Sequence, residues 1–223
     1  MDIMFIIVAL AVTGLAQLIL TIKYSHYKKI EIDSGLTGKQ VAEKILKEYD
    51  LDDITINEIS GNLTDHYNNS NRSVNLSSDI YNGSSIASTA VAAHECGHAL
   101  QYKDGYGPIK VRNTLVPIVN IGNTLGYIAV VISLLASLTS LFWIGIILVS
   151  FAIVFQLVTL PCEFNASRRA NKVILEMGLV TKSEQSGTKS MLRAAAFTYV
   201  AGLFSSILQI LRLVYIFSGR RRD

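Results

Sequence analysis

His94-Glu95-Cys96-Gly97-His98 is the stretch of this 223-residue chain best suited to chemistry. On a helix, two histidines four apart lie on one face, separated by only about 40° of rotation, so both imidazoles can reach one ion. A zinc ion suits two imidazoles, and the glutamate between them is aimed beside the metal, where it can take a proton from water. The competing reading is two surface histidines on an amphipathic helix. It fits poorly, because Val91, Ala92, Ala93, Ala99 and Leu100 flank the motif with small apolar groups. Such flanks predict burial, and buried imidazoles beside a carboxylate need partners. The chain has four histidines, and two of them are here.

The elements that must position this motif are partly greasy. Half of the chain is hydrophobic and only 17% is charged, too apolar for an ordinary soluble domain. A net charge of +3 gives no reason to expect nucleic acid as a partner. Two cysteines, Cys96 and Cys162, do not make a disulfide framework, and a reducing compartment follows. Ile3 to Ile22 is free of charge over about 20 residues, enough to cross a bilayer. It lacks a basic leading region and a small-residue cleavage site, so it reads as an uncleaved anchor. Lys23, Lys28 and Lys29 follow it, which places the N-terminus outside and the next segment in the cytosol.

Residues 25–114 form the polar part. Thr37 is placed to cap a helix through Val41, Ile45 and Leu46. Ile54 to Ile59 and Arg72 to Ser77 alternate as short strands, with turn chemistry between them from Asp65 to Asn71. Asn82-Gly83 closes the second strand, and Ser84 or Ser85 caps a motif-bearing helix that runs to about Tyr102 and ends at Asp104-Gly105. Val116 to Leu160 is then almost wholly apolar over 45 residues, which suits two spans joined by a turn near Ser137 to Ser140. Ala194 to Phe217 is a fourth candidate span, weakened by Gln209 and Arg212. A full crossing would carry Arg220, Arg221 and Arg222 outside, against the usual charge bias; packing in the interface is the alternative. The resulting division is 1–24 anchor, 25–114 motif-bearing part, 115–163 hairpin, and 164–223 basic helix with a C-terminal membrane segment. The fold class is mainly α: a multi-pass membrane protein with a small α+β cytosolic-facing part resembling a zincin.

A catalytic zinc usually takes three protein ligands. Asp104 stands ten residues after His94, as in an extended form of the motif, but that form needs glycine at position 101 and this chain has Gln101. An unbroken helix carries Asp104 away from the metal and leaves it a helix-end turn residue. Glu163 competes with it. Pro161 suits the first turn of a new helix, which would present Glu163 as the hairpin returns. The bland reading of Glu163 is an interfacial carboxylate paired with Arg168 or Arg169. Glu163 is the stronger candidate, and Cys162 remains an alternative, although a packing thiol is favoured for both cysteines.

At these residues a resemblance becomes specific. Asp65-His66-Tyr67, Val91 to Glu95 with Gly97-His98, Leu157 to Pro161, and Glu163-Phe164 with Ala166 to Arg169 resemble the YugP-type membrane zinc metallopeptidases of bacteria, and more distantly the HtpX type. The similarity runs from about residue 33 to 215. It implies a multi-pass neutral zinc peptidase of the cell membrane with one zinc ion per chain. His94, His98 and Glu163 would be the ligands, Glu95 the general base, and a protein or peptide the substrate. The HtpX-type pattern places Asp four residues after the ligand glutamate, where this chain has Ser167, so the usual carboxylate behind a ligand histidine is missing; Asn165 could partly serve. His66 and Tyr67 are candidates to stabilise an oxyanion, and the strand at Arg72 to Ser77 could receive an extended substrate along its edge. An intramembrane-cleaving protease fits less well, because only about 15 apolar-leaning residues surround the motif. A membrane scaffold or holdase with a structural metal site is the non-enzyme alternative, and Glu95 argues against it, since a closed structural site needs no base.

Overall fold

The structure, a computed structural model, describes residues 2–220. It is mainly helical, in the order α1 (Asp2–Tyr27), α2 (Gly38–Glu48), β1 (Thr55–Ile59), β2 (His66–Asn68), β3 (Ser73–Ser77), α3 (Ser78–Asn82), α4 (Ile86–Lys103), α5 (Gly107–Ala136), α6 (Thr139–Glu176) and α7 (Lys182–Arg220). Two compact units result, one from residues 2–17, 107–161 and 197–220, the other from residues 18–106 and 162–196.

In the second unit, α2 begins where Thr37 Oγ1 accepts from Gln40 N and Gln40 Oε1 accepts from Thr37 N, a reciprocal cap. Its stripe of Val41, Ala42, Ile45 and Leu46 is buried. The three strands stand in the order β1-β3-β2, with β1 parallel and β2 antiparallel to β3. The central strand β3 is buried at all five positions. Its Val74 and Leu76 join Ile45, Ile80, Ala90 and Ile174 in one apolar core. Helix α4 starts at Ser85, whose Oγ accepts from Ser88 N. Alanines and a glycine all round let neighbours enclose it on nearly every side.

Three expectations change here. His66–Asn68 is strand β2 and not turn, because its backbone pairs with Ser73, Val74 and Asn75 of β3. The segment after β3 is the short helix α3 and not a direct turn at Asn82-Gly83. The Arg72–Ser77 strand is central and hydrogen-bonded on both sides, so it has no edge to offer; the edges are β1 and β2.

In the first unit, α5 and α6 are joined at Ser137 and Leu138, with Ser137 in the left-handed region at φ 55°. They approach closely at two glycines: a Cβ on Gly126 would stand 3.0 Å from Gly145 O, and one on Gly145 2.9 Å from Gly126 O. Small residues at such a crossing let backbones pack where water gives no hydrophobic drive. Phe142 stacks on Phe217 with centroids 3.9 Å apart. Some polar groups of the apolar helices pair with one another. Tyr127 Oη donates to Gln209 Oε1 at 2.7 Å, Gln156 Nε2 donates to Ser206 Oγ at 2.8 Å, and Arg212 lies 3.7 Å from Asp2. By length and composition, α1, α5, α6 and α7 could each cross a membrane.

Pro161 lies inside α6 and does not open a new helix. A break there would leave up to four unpaired carbonyls and four unpaired amides, whereas continuing costs one carbonyl its donor. The C-terminal Arg221 and Arg222, weighed above for topology, lie outside the described residues.

Candidate metal centre

His94 and His98 lie one turn apart on α4, with ring centroids 4.8 Å apart and planes at 82°. Glu163 reaches them from α6. The approach of the two helices depends on Gly97, because a Cβ there would lie 2.6 Å from Ala166 O. Glu163 Oε2 is 3.3 Å from His94 Nε2 and 3.5 Å from His98 Nε2. One donor atom from each of the three residues lies within 4.8 Å of the others, and among the described residues they form a group able to hold a metal ion. Tetrahedral ligands about 2.0–2.1 Å from zinc stand roughly 3.3–3.4 Å apart, so the carboxylate-to-imidazole separations suit that ion. Glu163 is 2% exposed and His98 8%.

The far side of each imidazole is also held. His98 Nδ1 is 3.0 Å from Gln101 Oε1, and the same amide donates through Nε2 to Cys162 O at 2.7 Å and to Asn165 Oδ1 at 3.0 Å. Since Nε2 of Gln101 is committed as a donor to two carbonyl-type oxygens, Oε1 must accept from His98 Nδ1–H. The imidazole is thereby fixed with its Nε2 lone pair toward Glu163, as a metal ligand requires. Ser167 Oγ lies 3.2 Å from His94 Nδ1. The position where a carboxylate was expected to be missing therefore supplies a hydroxyl instead. Asn165 hydrogen-bonds neither histidine among the described residues; it accepts from Gln101 and from Arg169 Nε at 2.8 Å. Burial works against a proton on His98, but the Glu163 carboxylate beside it outweighs this and lifts its affinity above that of an ordinary imidazole.

Glu95 is buried and lies on the sheet side of α4. Its Oε2 accepts from Tyr67 N of β2 at 2.9 Å. Asp65 secures the start of that strand by accepting from Ser77 N at 2.7 Å and Ser77 Oγ at 3.0 Å. Desolvation raises the affinity of this half-buried carboxyl for a proton, and the Ser77 bonds oppose it. The backbone of Tyr67 thus reaches the site, and its ring lies 5.5 Å from that of Tyr102. His66 is exposed, with Nδ1 2.9 Å from Thr64 O.

The remaining candidates lie elsewhere. Asp104 caps α4 and pairs with Arg169. That pair occupies Arg169, one of the two arginines in the competing reading of Glu163. Cys96 is fully buried, and desolvation pushes its thiol far above the ordinary range, which makes it inert. Cys162 is buried too, and it is its backbone carbonyl that enters the network, by accepting from Gln101.

Residues 2–218 match the model of a family described as "Putative neutral zinc metallopeptidase". The chain belongs to this family. It is also 40% identical, over 223 residues and 99% of both chains, to the protein named "Putative membrane protease YugP" of Bacillus subtilis (strain 168). No solved structure matches it. The family's description implies zinc, and among the described residues His94, His98 and Glu163 form a group that could hold it. Reasoning from sequence missed Gln101 as a support of His98. The available signal was a long amide three residues after a candidate ligand histidine, on the same face of a buried helix.

Proposed function

We propose that this chain is an integral-membrane zinc endopeptidase whose site faces the cytosol, with His94, His98 and Glu163 as ligands of one zinc ion and Glu95 as general base. The observation that carries the reading is the convergence of two imidazole Nε2 atoms and a buried carboxylate, next to a second carboxylate that is held separately. A zinc ion bound there would polarise a peptide carbonyl and acidify a water molecule. Glu95 does the proton work. Tyr67 N–H fixes its Oε2, and Oε1, which no hydrogen bond holds among the described residues, takes the proton of the attacking water and passes it to the leaving amine. Gln101 and Ser167 keep the imidazoles from turning. An extended peptide could not pair with β3, which is covered on both sides, and on the outer edge of β2 the Tyr67 N–H is already bonded to Glu95, which leaves only Tyr67 O. The cytosolic orientation is supported by Lys23, Lys28 and Lys29 directly after the first apolar run.

Glu95→Gln tests the assignment. The variant should keep one zinc per chain while hydrolysis of a denatured protein substrate falls by about 10²–10⁴-fold. Retained hydrolysis, or loss of zinc with it, would remove Glu95 from the role. A wild type that binds zinc but hydrolyses nothing would return the scaffold reading.

A further inference from the structure

Within the second unit, α6 and α7 enclose a groove of about 680 Å³ that carries four cationic side chains, Arg168, Lys172, Lys189 and Arg193, against the single carboxylate of Glu176. All four cations are exposed. They form two i,i+4 pairs of like charge, one on each helix. Like charges at this spacing repel, and two such pairs facing one groove make it attractive to an anion. Among the described residues, only Lys172 of the four pairs with a carboxylate, Glu176, at 3.8 Å, with both side chains well exposed. Among the described residues, Arg168 and Arg193 pair with none. The groove is preformed: Thr188 Oγ1 donates to Asn171 Oδ1 at 2.8 Å and Gln185 Nε2 to Asn171 O at 3.0 Å, which pins the two helices. Phe164, Leu175, Leu192 and Ala196 give the groove apolar wall, beside the uncharged polar groups of Ser167, Asn171 and Gln185.

We propose that this groove binds the phosphate headgroup of an anionic phospholipid, with Arg168 and Arg193 as its principal contacts. The choice of a lipid over other anions follows from the two helices themselves. α6 carries no charge from Thr139 to Leu160, and the long apolar run of α7 begins at Ala194, so the cations cluster where both apolar runs end. A cationic site beside apolar wall groups matches a headgroup and the start of its acyl chains. The proposal rests on the membrane placement of the chain and on nothing in its hydrolytic chemistry. Ser167 also lines the groove, and its Oγ meets Nδ1 of His94, so the bound headgroup would abut the back of a metal ligand.

The test is native mass spectrometry of the full-length chain from micelles doped with phosphatidylglycerol or phosphatidylcholine. Wild type should retain phosphatidylglycerol in preference. Arg168→Gln/Arg193→Gln should weaken that retention by about 30-fold, as two juxtamembrane charges are worth. Arg168→Lys/Arg193→Lys should preserve most of it, which separates lost charge from lost fold. Equal retention of both lipids, or undiminished retention by the glutamine variant, overturns the proposal. Displacement of the lipid by millimolar inorganic phosphate would reassign the site to free phosphate, and displacement by an acidic peptide would reassign it to a protein partner; each overturns the lipid assignment. The readout needs neither zinc nor hydrolysis, so it stands or falls apart from the peptidase reading.

Discussion

Gln101 joins three things: the ring of His98, the backbone of α6 at Cys162, and the Asn165 amide. It is wholly buried, so each of its polar atoms must be satisfied inside the protein. Replacing it removes both the lock on the imidazole tautomer and a bond between the helices that carry the ligands. Gln101→Ala should therefore weaken zinc binding by about 10–100-fold, the usual cost of losing a partner behind a ligand. Competition with a chromophoric chelator measures this, and an affinity within about twofold of wild type would contradict the role. Ser167 Oγ meets His94 Nδ1, with no second partner among the described residues to fix the direction of its proton. At this scale the sequence was readable where spacing sets geometry. His94 and His98 had to share a face, and Glu95 had to stand beside them. It was not readable at Gln101 and Ser167, because a side-chain amide or hydroxyl carries no sign of its partner until the other helix is in place.

At the scale of elements, the site depends on how closely α4 can approach α6. Gly97 permits that approach, since any Cβ would meet the carbonyl of Ala166 at 2.6 Å, and a backbone oxygen cannot rotate out of the way. Gly97→Ala raises the helix propensity of α4 by up to about 1 kcal/mol. Overpacking of this kind costs about 1–3 kcal/mol. The clash should win, with α6 displaced and Glu163 carried away from the two imidazoles. A lower melting temperature together with weaker zinc binding is the expected outcome; unchanged affinity would mean that the helices have slack. The short strands and the capped α2 followed from alternation and from Thr37. β2 did not, because three residues of turn-like composition become a strand only when β3 supplies the partner. Pro161 misled for a related reason. Its local preference for a helix start is overridden because continuing the helix avoids exposing two sets of end groups.

For the molecule as a whole, the three proposed ligands come from segments 65 residues apart in sequence, with the α5–α6 hairpin between them. The hairpin was legible from its 45 apolar residues, since length and composition decide spanning capacity. The partner of a helix was not legible, and neither was the use of the basic residues after Glu163, because both depend on which surfaces the fold brings together. Asp104 and Glu163 were the rival third ligands in the sequence, and the fold ties Asp104 to Arg169 while aiming Glu163 at both imidazoles. Zinc content of purified wild type, Glu163→Ala and Asp104→Ala, measured per chain by mass spectrometry, tests this most directly. One zinc in wild type and in Asp104→Ala, with loss from Glu163→Ala, is the expected result. Zinc retained by Glu163→Ala, or lost from Asp104→Ala alone, would contradict the metal centre described.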